Sequence, residues 1–178
     1  MKIKIIFIPG NGGGDTNEGF FPYVKDNFRD KYEIISPGVY PDSLLARAKY
    51  WLPYLEKLGA DENTILIGHS SGAIAAMRYA ENHKILGSVL VAGYHTDLGM
   101  IEEKLSGYFK KDWNWENIKN NQKFIIQFNS TNDSFIPIEE ARFVYEKLGS
   151  DYHELNQGHF YPQTEFPELV EALNKYIK

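Results

Sequence analysis

Apolar and polar positions along the chain fall into two patterns that alternate. Five short runs are predominantly apolar: Ile3–Ile8, Glu33–Ser36, Thr64–Ile67, Ser88–Ala92 and Phe124–Phe128. A sixth, weaker run is Asp151–Leu155. Most lack strict polar alternation, which predicts strands buried on both faces of a parallel sheet. Between them lie stretches with helical spacing: Phe20–Phe28, Asp42–Leu58, Gly72–Asn82, Glu139–Leu148 and Pro167–Ile177. Asp42 and Ser43 read as the cap that starts the second of these, and Gly59 as its stop. In the last, Leu169, Val170, Leu173 and Ile177 mark one apolar face.

Strand and helix alternate throughout, with no linker, repeat or low-complexity stretch. The expectation is one domain over residues 1–178. Its class is α/β, doubly wound, with a mainly parallel six-stranded sheet flanked by helices and right-handed crossovers. Ligands in such folds sit beyond the carboxyl ends of the strands. Residues that carry chemistry should therefore follow strands.

Composition changes this picture only by exclusion. The chain has 178 residues, 43% of them hydrophobic and 24% charged, which suits one soluble domain with a sizeable core. A net charge of -5 argues against an electrostatic grip on nucleic acid or on an anionic membrane. Lys110 and Lys111 are the only adjacent basic pair, too little for a phosphate-tracking stripe. There is no cysteine, which removes thiolate nucleophiles, disulfides and Cys-ligated metals and fits a reducing compartment. The opening MKIKIIFIPG ends its apolar run at Pro9 and Gly10, so it reads as a strand rather than a leader. No segment approaches the roughly 20 apolar residues needed to span a bilayer. The expected location is cytoplasmic.

The strand-like run Thr64–Ile67 leads into Gly68-His69-Ser70-Ser71-Gly72, a G-x-S-x-G turn followed by small helix-forming residues. A sharp strand-to-helix turn strains its central residue and lifts that side chain above the sheet edge. The positions two before and two after must be tiny, because the two backbones nearly touch. Ser70 is therefore the candidate nucleophile. Ser71, off-centre, offers its backbone N–H at the positive end of the helix. His69 adjoins Ser70 and reads as a packed or hydrogen-bonded histidine.

A serine hydroxyl needs a base within hydrogen-bond reach. His83 lies near a helix C-terminus and His153 within the sixth run, which are structural positions. His95, with Asp97 two residues on, is a rival. His159 follows the sixth run, and Gly158 permits a tight loop that aims its imidazole over the sheet edge. The chain order Ser, Asp, His favours His159. The orienting acid is Asp133, in the polar turn after Phe124–Phe128; Asp151 precedes its strand and lies at the wrong edge. Asp133 would hold His159 in one tautomer and stabilise the imidazolium. After the first run, Ile8-Pro9-Gly10-Asn11-Gly12-Gly13-Gly14-Asp15 frees several N–H groups for an oxyanion. Asn11 and Ser71 are the expected donors, with Gly12 as the fallback. A phosphate cradle does not fit this loop: it lacks Gly-Lys-Ser/Thr, and Asp15 stands where a dinucleotide fingerprint needs a small residue. The histidines show no metal-ligand spacing on a helix, so no metal or cofactor is expected.

Together these residues resemble the small lidless α/β-hydrolases of the retinoblastoma-binding protein nine type, with the YdeN-like serine hydrolases as relatives. The resemblance covers nearly the whole chain. It rests on IPGNGGGD at 8–15, WLPYLEKL at 51–58, IGHSSGAIAAMRYAE at 67–81, SGYFKKDWNWENIK at 106–119, QFNSTNDSFIP at 127–137 and GHF at 158–160. It implies serine hydrolase activity without a cofactor, and the family's triad falls on Ser70, Asp133 and His159. The member that gave the group its name carries a Leu-x-Cys-x-Glu segment for binding pocket proteins. Here Leu58-Gly59-Ala60-Asp61-Glu62 puts Ala60 at the cysteine, so that partnership is not carried over.

The connection from Gly93 to Gln122 must hold a crossover helix and leaves no room for a full lid. Its aromatic residues divide between core packing and a pocket wall, with Tyr94, Trp113 and Trp115, beside Gly12, as candidate wall residues. The expected substrate is a small ester, or an amide or aminoacyl compound, with an apolar or aromatic acyl group. The competing expectation is a non-catalytic protein-binding module on the same fold.

Overall fold

The computed structural model describes residues 2–177. Six strands are present: β1 (Lys4–Ile8), β2 (Glu33–Ile35), β3 (Thr64–His69), β4 (Gly87–Val91), β5 (Phe124–Ser130) and β6 (Asp151–Leu155). They form one sheet in the order β2-β1-β3-β4-β5-β6, with every neighbouring pair parallel. The helices are α1 (Phe21–Phe28), α2 (Ala48–Lys57), α3 (Ser71–Ala80), α4 (Ile101–Ser106), α5 (Trp115–Asn120), α6 (Ile138–Leu148) and α7 (Pro167–Asn174).

The apolar runs are continuous because both pleats of the sheet are covered. Ile6, Ile8 and Leu66 join one core with Trp51 and Leu55 of α2, Ile74 of α3 and Val144 of α6. Ile5, Phe7, Ile65 and Ile67 join the other, against Phe21, Val24 and Phe28 of α1 and Leu169 and Leu173 of α7. Each such side chain, fully buried, contributes about 1.5–3 kcal/mol. The period of two along β1 and β3 thus divides the helices between two layers.

From β1 the chain moves outward to β2, then returns past β1 to β3 and continues to β6. The winding reverses between β1 and β3, which opens a crevice beyond their carboxyl ends. The loop after β1 and the turn after β3 flank that crevice, and both were singled out by sequence.

Several boundaries differ from expectation for physical reasons. The second helix begins at Ala48, not Asp42. Asp42 has φ 55° and accepts hydrogen bonds from the Arg47 backbone N–H at 3.0 Å and Nε at 2.9 Å. It stabilises a turn ahead of the helix instead of capping it. Strand β5 runs two residues further, through Asn129 and Ser130, whose polar side chains are hydrogen-bonded: Asn129 donates to Gly93 O at 3.0 Å and Ser130 to Asn132 at 2.7 Å. The final helix stops at Asn174. The connection after β4 holds two short helices, α4 and α5, where one crossover helix was expected, and no lid. No helix among the described residues is long and apolar enough to cross a membrane.

Candidate active site

The turn after β3 is as tight as the glycine spacing requires. Ser70 sits at φ 53°, ψ -120°, a backbone conformation that L-residues rarely adopt. A Cβ on Gly68 would lie 2.3 Å from Gly72 O, and one on Gly72 would lie 2.3 Å from Ile8 O. Strand, helix and the end of β1 therefore meet backbone to backbone. The strain at Ser70 is held by hydrogen bonds on both sides: Ser70 N–H donates to Val91 O at 2.8 Å, and Ser70 O accepts from Ala73 N–H at 2.9 Å. The serine side chain is left at the crevice, on the wall of a cavity of about 430 Å³.

His159, in the loop after β6, lines the same cavity. Its Nδ1 lies 2.8 Å from Asp133 Oδ2. The other Asp133 oxygen accepts the backbone N–H groups of Phe135 at 2.8 Å and Ile136 at 3.1 Å. Burial pushes the Asp133 carboxyl up, but the hydrogen bond and charge of His159 and those two N–H groups outweigh it and hold it below the usual carboxylate range. An ionised carboxylate only accepts, so in this contact His159 donates from Nδ1.

The two loops are tied to each other beyond that contact. Asn132 Oδ1 accepts Gly158 N–H at 2.8 Å, and Ser130 Oγ accepts Gln157 N–H at 2.8 Å. His69 donates from Nε2 to His159 O at 2.8 Å, and the two rings lie 4.8 Å apart. Burial, with the neighbouring His159, pulls the His69 imidazole down to about 3, so it stays neutral and its Nε2–H can serve the carbonyl. The packed-histidine reading of His69 thus has a specific content: it holds the main chain of His159.

The loop after β1 passes against the serine. A Cβ on Gly10 would lie 3.4 Å from Ser70 Cβ. Gly12 N–H donates to Leu44 O and Gly13 N–H to Ser43 O, each at 3.1 Å, so the fallback donor is already engaged. Asn11 remains as the loop's candidate oxyanion donor. Its side chain donates from Nδ2 to Glu103 Oε1 at 2.9 Å. Burial pushes the Glu103 carboxyl up, with hydrogen bonding to Tyr94 and Asn11 pulling part of the way back. Ser71 Oγ and Tyr94 OH lie 3.4 Å apart.

The candidate wall residues separate. Gly12 and Tyr94 line the cavity. Trp113 and Trp115 do not. Arg78 on α3 is buried and gives its guanidinium to the carbonyls of Tyr108, Lys111 and Asp112. Its charge draws the Trp113 ring to 3.6 Å, and Trp115 stacks on Trp113 at 5.3 Å. The two tryptophans are packing residues of the crossover. The rival pair also disperses. His95 Nδ1 lies 2.7 Å from Glu140, and its ring stacks on Phe143 at 4.0 Å, while Asp97 accepts Gly99 N–H at 2.8 Å. His83 meets Tyr79 O at 3.1 Å, and His153 meets Asp151 at 3.1 Å and stacks on Phe128.

Sequence reasoning missed Glu103, Phe20, Phe135 and Tyr161, which also line the cavity. A glutamate on a short helix carries no spacing signal, and the aromatic residues come from three separate segments. Among the described residues no three His, Asp or Glu side chains gather to hold a metal ion.

A parallel doubly wound sheet with G-x-S-x-G at the turn after its third strand is the α/β-hydrolase architecture. Residues 6–175 match the family described as serine hydrolase, and the chain belongs to that family. It is 42% identical over 179 residues to the serine hydrolase RBBP9 of Rattus norvegicus, a match covering 98% of this chain and 95% of that protein. YdeN of Bacillus subtilis (strain 168) is 23% identical over 99% of this chain and 97% of its own. The crystal structure of the B. subtilis ydeN gene product superposes with a TM-score of 0.85 at 22% identity, covering 98% of each chain. The esterase RhEst1 from Rhodococcus sp. ECU1013 shares the fold more distantly, with a TM-score of 0.62 at 15% identity over 99% of this chain and 90% of its own.

Proposed function

We propose that this serine hydrolase cleaves a small ester, or an amide or aminoacyl compound, through an acyl-enzyme on Ser70. The observation that carries the reading is the Asp133–His159 hydrogen bond at 2.8 Å on the wall of the cavity that also holds Ser70. Ser70 Oγ attacks the substrate carbonyl carbon while His159 Nε2 takes its proton. The oxyanion is met by the N–H groups of Asn11 and Ser71. The bond to the leaving group then breaks, and His159 returns the proton to the departing oxygen or nitrogen. Water adds to the acyl carbonyl by the same route in reverse roles, releasing the acid and restoring Ser70.

The cavity supports the substrate class. Its volume, about 430 Å³, lies in the range of small-molecule sites. Phe20, Leu98, Met100, Phe135, Phe160 and Tyr161 give it an apolar and aromatic lining, which suits an apolar acyl group. Asp15 and Glu18 also line it, with no lysine or arginine, which favours a neutral or ammonium-bearing substrate over an anion.

The test is turnover of p-nitrophenyl butyrate and of aminoacyl amides by wild type and Ser70→Ala. Hydrolysis that falls at least about 1,000-fold in Ser70→Ala is expected. A folded wild type without turnover across such a panel favours the non-catalytic binding module instead.

A further inference from the structure

One buried carboxyl lies behind the proposed oxyanion site and takes no part in the relay. Glu103, on α4, is 3% exposed, and its Oε2 is sealed from solvent without a hydrogen bond of good geometry. A buried acid without full hydrogen bonding costs free energy that an apolar side chain would not. Glu103 needs a reason to be there, and its surroundings supply one. Oε1 accepts the Asn11 side chain at 2.9 Å. The carboxyl's other polar neighbours are Tyr94 and Ser71, themselves 3.4 Å apart through their hydroxyl oxygens. The two segments expected to supply oxyanion donors therefore converge on the same carboxyl.

An oxyanion donor works only if it is held in place before the charge develops. Asn11 lies between Gly10 and Gly12, the most permissive neighbours a residue can have. Downstream, the loop is pinned by Gly12 and Gly13 donating to Leu44 and Ser43. Asn11 itself is anchored through its side chain, to Glu103. We propose that Glu103 is a positioning residue that fixes the Asn11 peptide and, with Tyr94, the first turn of α3 in the geometry that binds the oxyanion. The proposal rests on the acyl-transfer reading above. A full negative charge behind an oxyanion would oppose the reaction, and burial, which shifts Glu103 toward the protonated acid, lessens that opposition.

The assignment predicts a separation of activity from stability. With p-nitrophenyl butyrate, Glu103→Leu should lower kcat by about 10- to 100-fold, as loss of a positioning contact does, with KM within threefold. Its melting temperature should not fall, because an unsatisfied buried acid has been replaced by an apolar side chain of similar size. Glu103→Gln keeps an acceptor for Asn11 and should recover most of the lost kcat. Asn11→Ala should lose as much as Glu103→Leu, and the double variant no more than either alone. A Glu103→Leu kcat within twofold of wild type, a loss confined to KM, or losses that multiply in the double variant would overturn the assignment. If Glu103→Leu does not fold, Asn11→Ala decides: an unchanged kcat overturns it, and a 10- to 100-fold loss with KM held supports it. Ser70→Ala, assayed beside these, keeps the two readings apart. Turnover retained there sinks the acyl-transfer reading itself, whereas an inert Ser70→Ala beside a fully active Glu103→Leu sinks only the role of Glu103.

Discussion

Asp133 shows how much one side chain is asked to do at this site. Its two oxygens are fully used, one on His159 and the other on two backbone N–H groups, and its side chain is 1% exposed. Asparagine at this position would keep the shape but offer an N–H₂ where only an acceptor serves, so the His159 proton would shift to Nε2. Asp133→Asn is expected to lower kcat by about 10⁴-fold with little change in melting temperature, measured on any ester the wild type turns over. A variant that retains more than a tenth of wild-type kcat contradicts the orienting role. Ser70, Asp133 and His159 could be singled out as candidates from the sequence because each follows a strand-like run and each sits beside small or turn-forming residues. Glu103 was not, because its importance comes from burial and from the Asn11 contact, neither of which leaves a local pattern.

At the scale of elements, the strand-to-helix turn depends on the absence of two side chains. Gly68 and Gly72 lie against backbone atoms that cannot move without shifting β1 and α3. Gly72→Ala is expected to destabilise by about 3 kcal/mol, at the upper end for overpacking, and to show this as a lower urea midpoint. A midpoint equal to wild type contradicts the packing described. The strands and helices could be read from the sequence because burial on both pleats and the period of the helices leave strong patterns. The ends could not. Asp42 looks like a helix cap, yet it binds Arg47 across a turn. Trp113 and Trp115 look like pocket residues, yet the buried guanidinium of Arg78 claims the first and the first stacks on the second. Both outcomes turn on a cationic partner outside the local pattern: Arg47 beyond the turn, and Arg78 on α3.

For the whole molecule, the site exists because three connections at one edge of the sheet fasten each other. His69, the last residue of β3, holds the main chain of His159 after β6, and Asn132 after β5 holds Gly158. This fastening has a pH dependence. His69 is pulled from an ordinary 6.5 to about 3 by burial, so the unfolded chain takes up a proton before the folded one does. Its share of stability is full above pH 6.5 and is lost as pH falls toward 3. Glu140 is held at about 2, its contacts with His95 and Thr96 outweighing burial, and adds a second loss between pH 4.5 and 2. The urea midpoint is expected to fall from pH 7 to pH 5 in wild type and to fall less in His69→Gln. A wild-type midpoint that stays level over that range contradicts the neutral His69. The proposed convergence of the three connections on one reactive oxygen is tested most directly by treating the native protein with a fluorophosphonate and locating the adduct by peptide mass spectrometry. The prediction is a single adduct on Ser70 in wild type and none in Ser70→Ala. An adduct on Ser71, or a folded wild type that takes up no probe, would contradict the account.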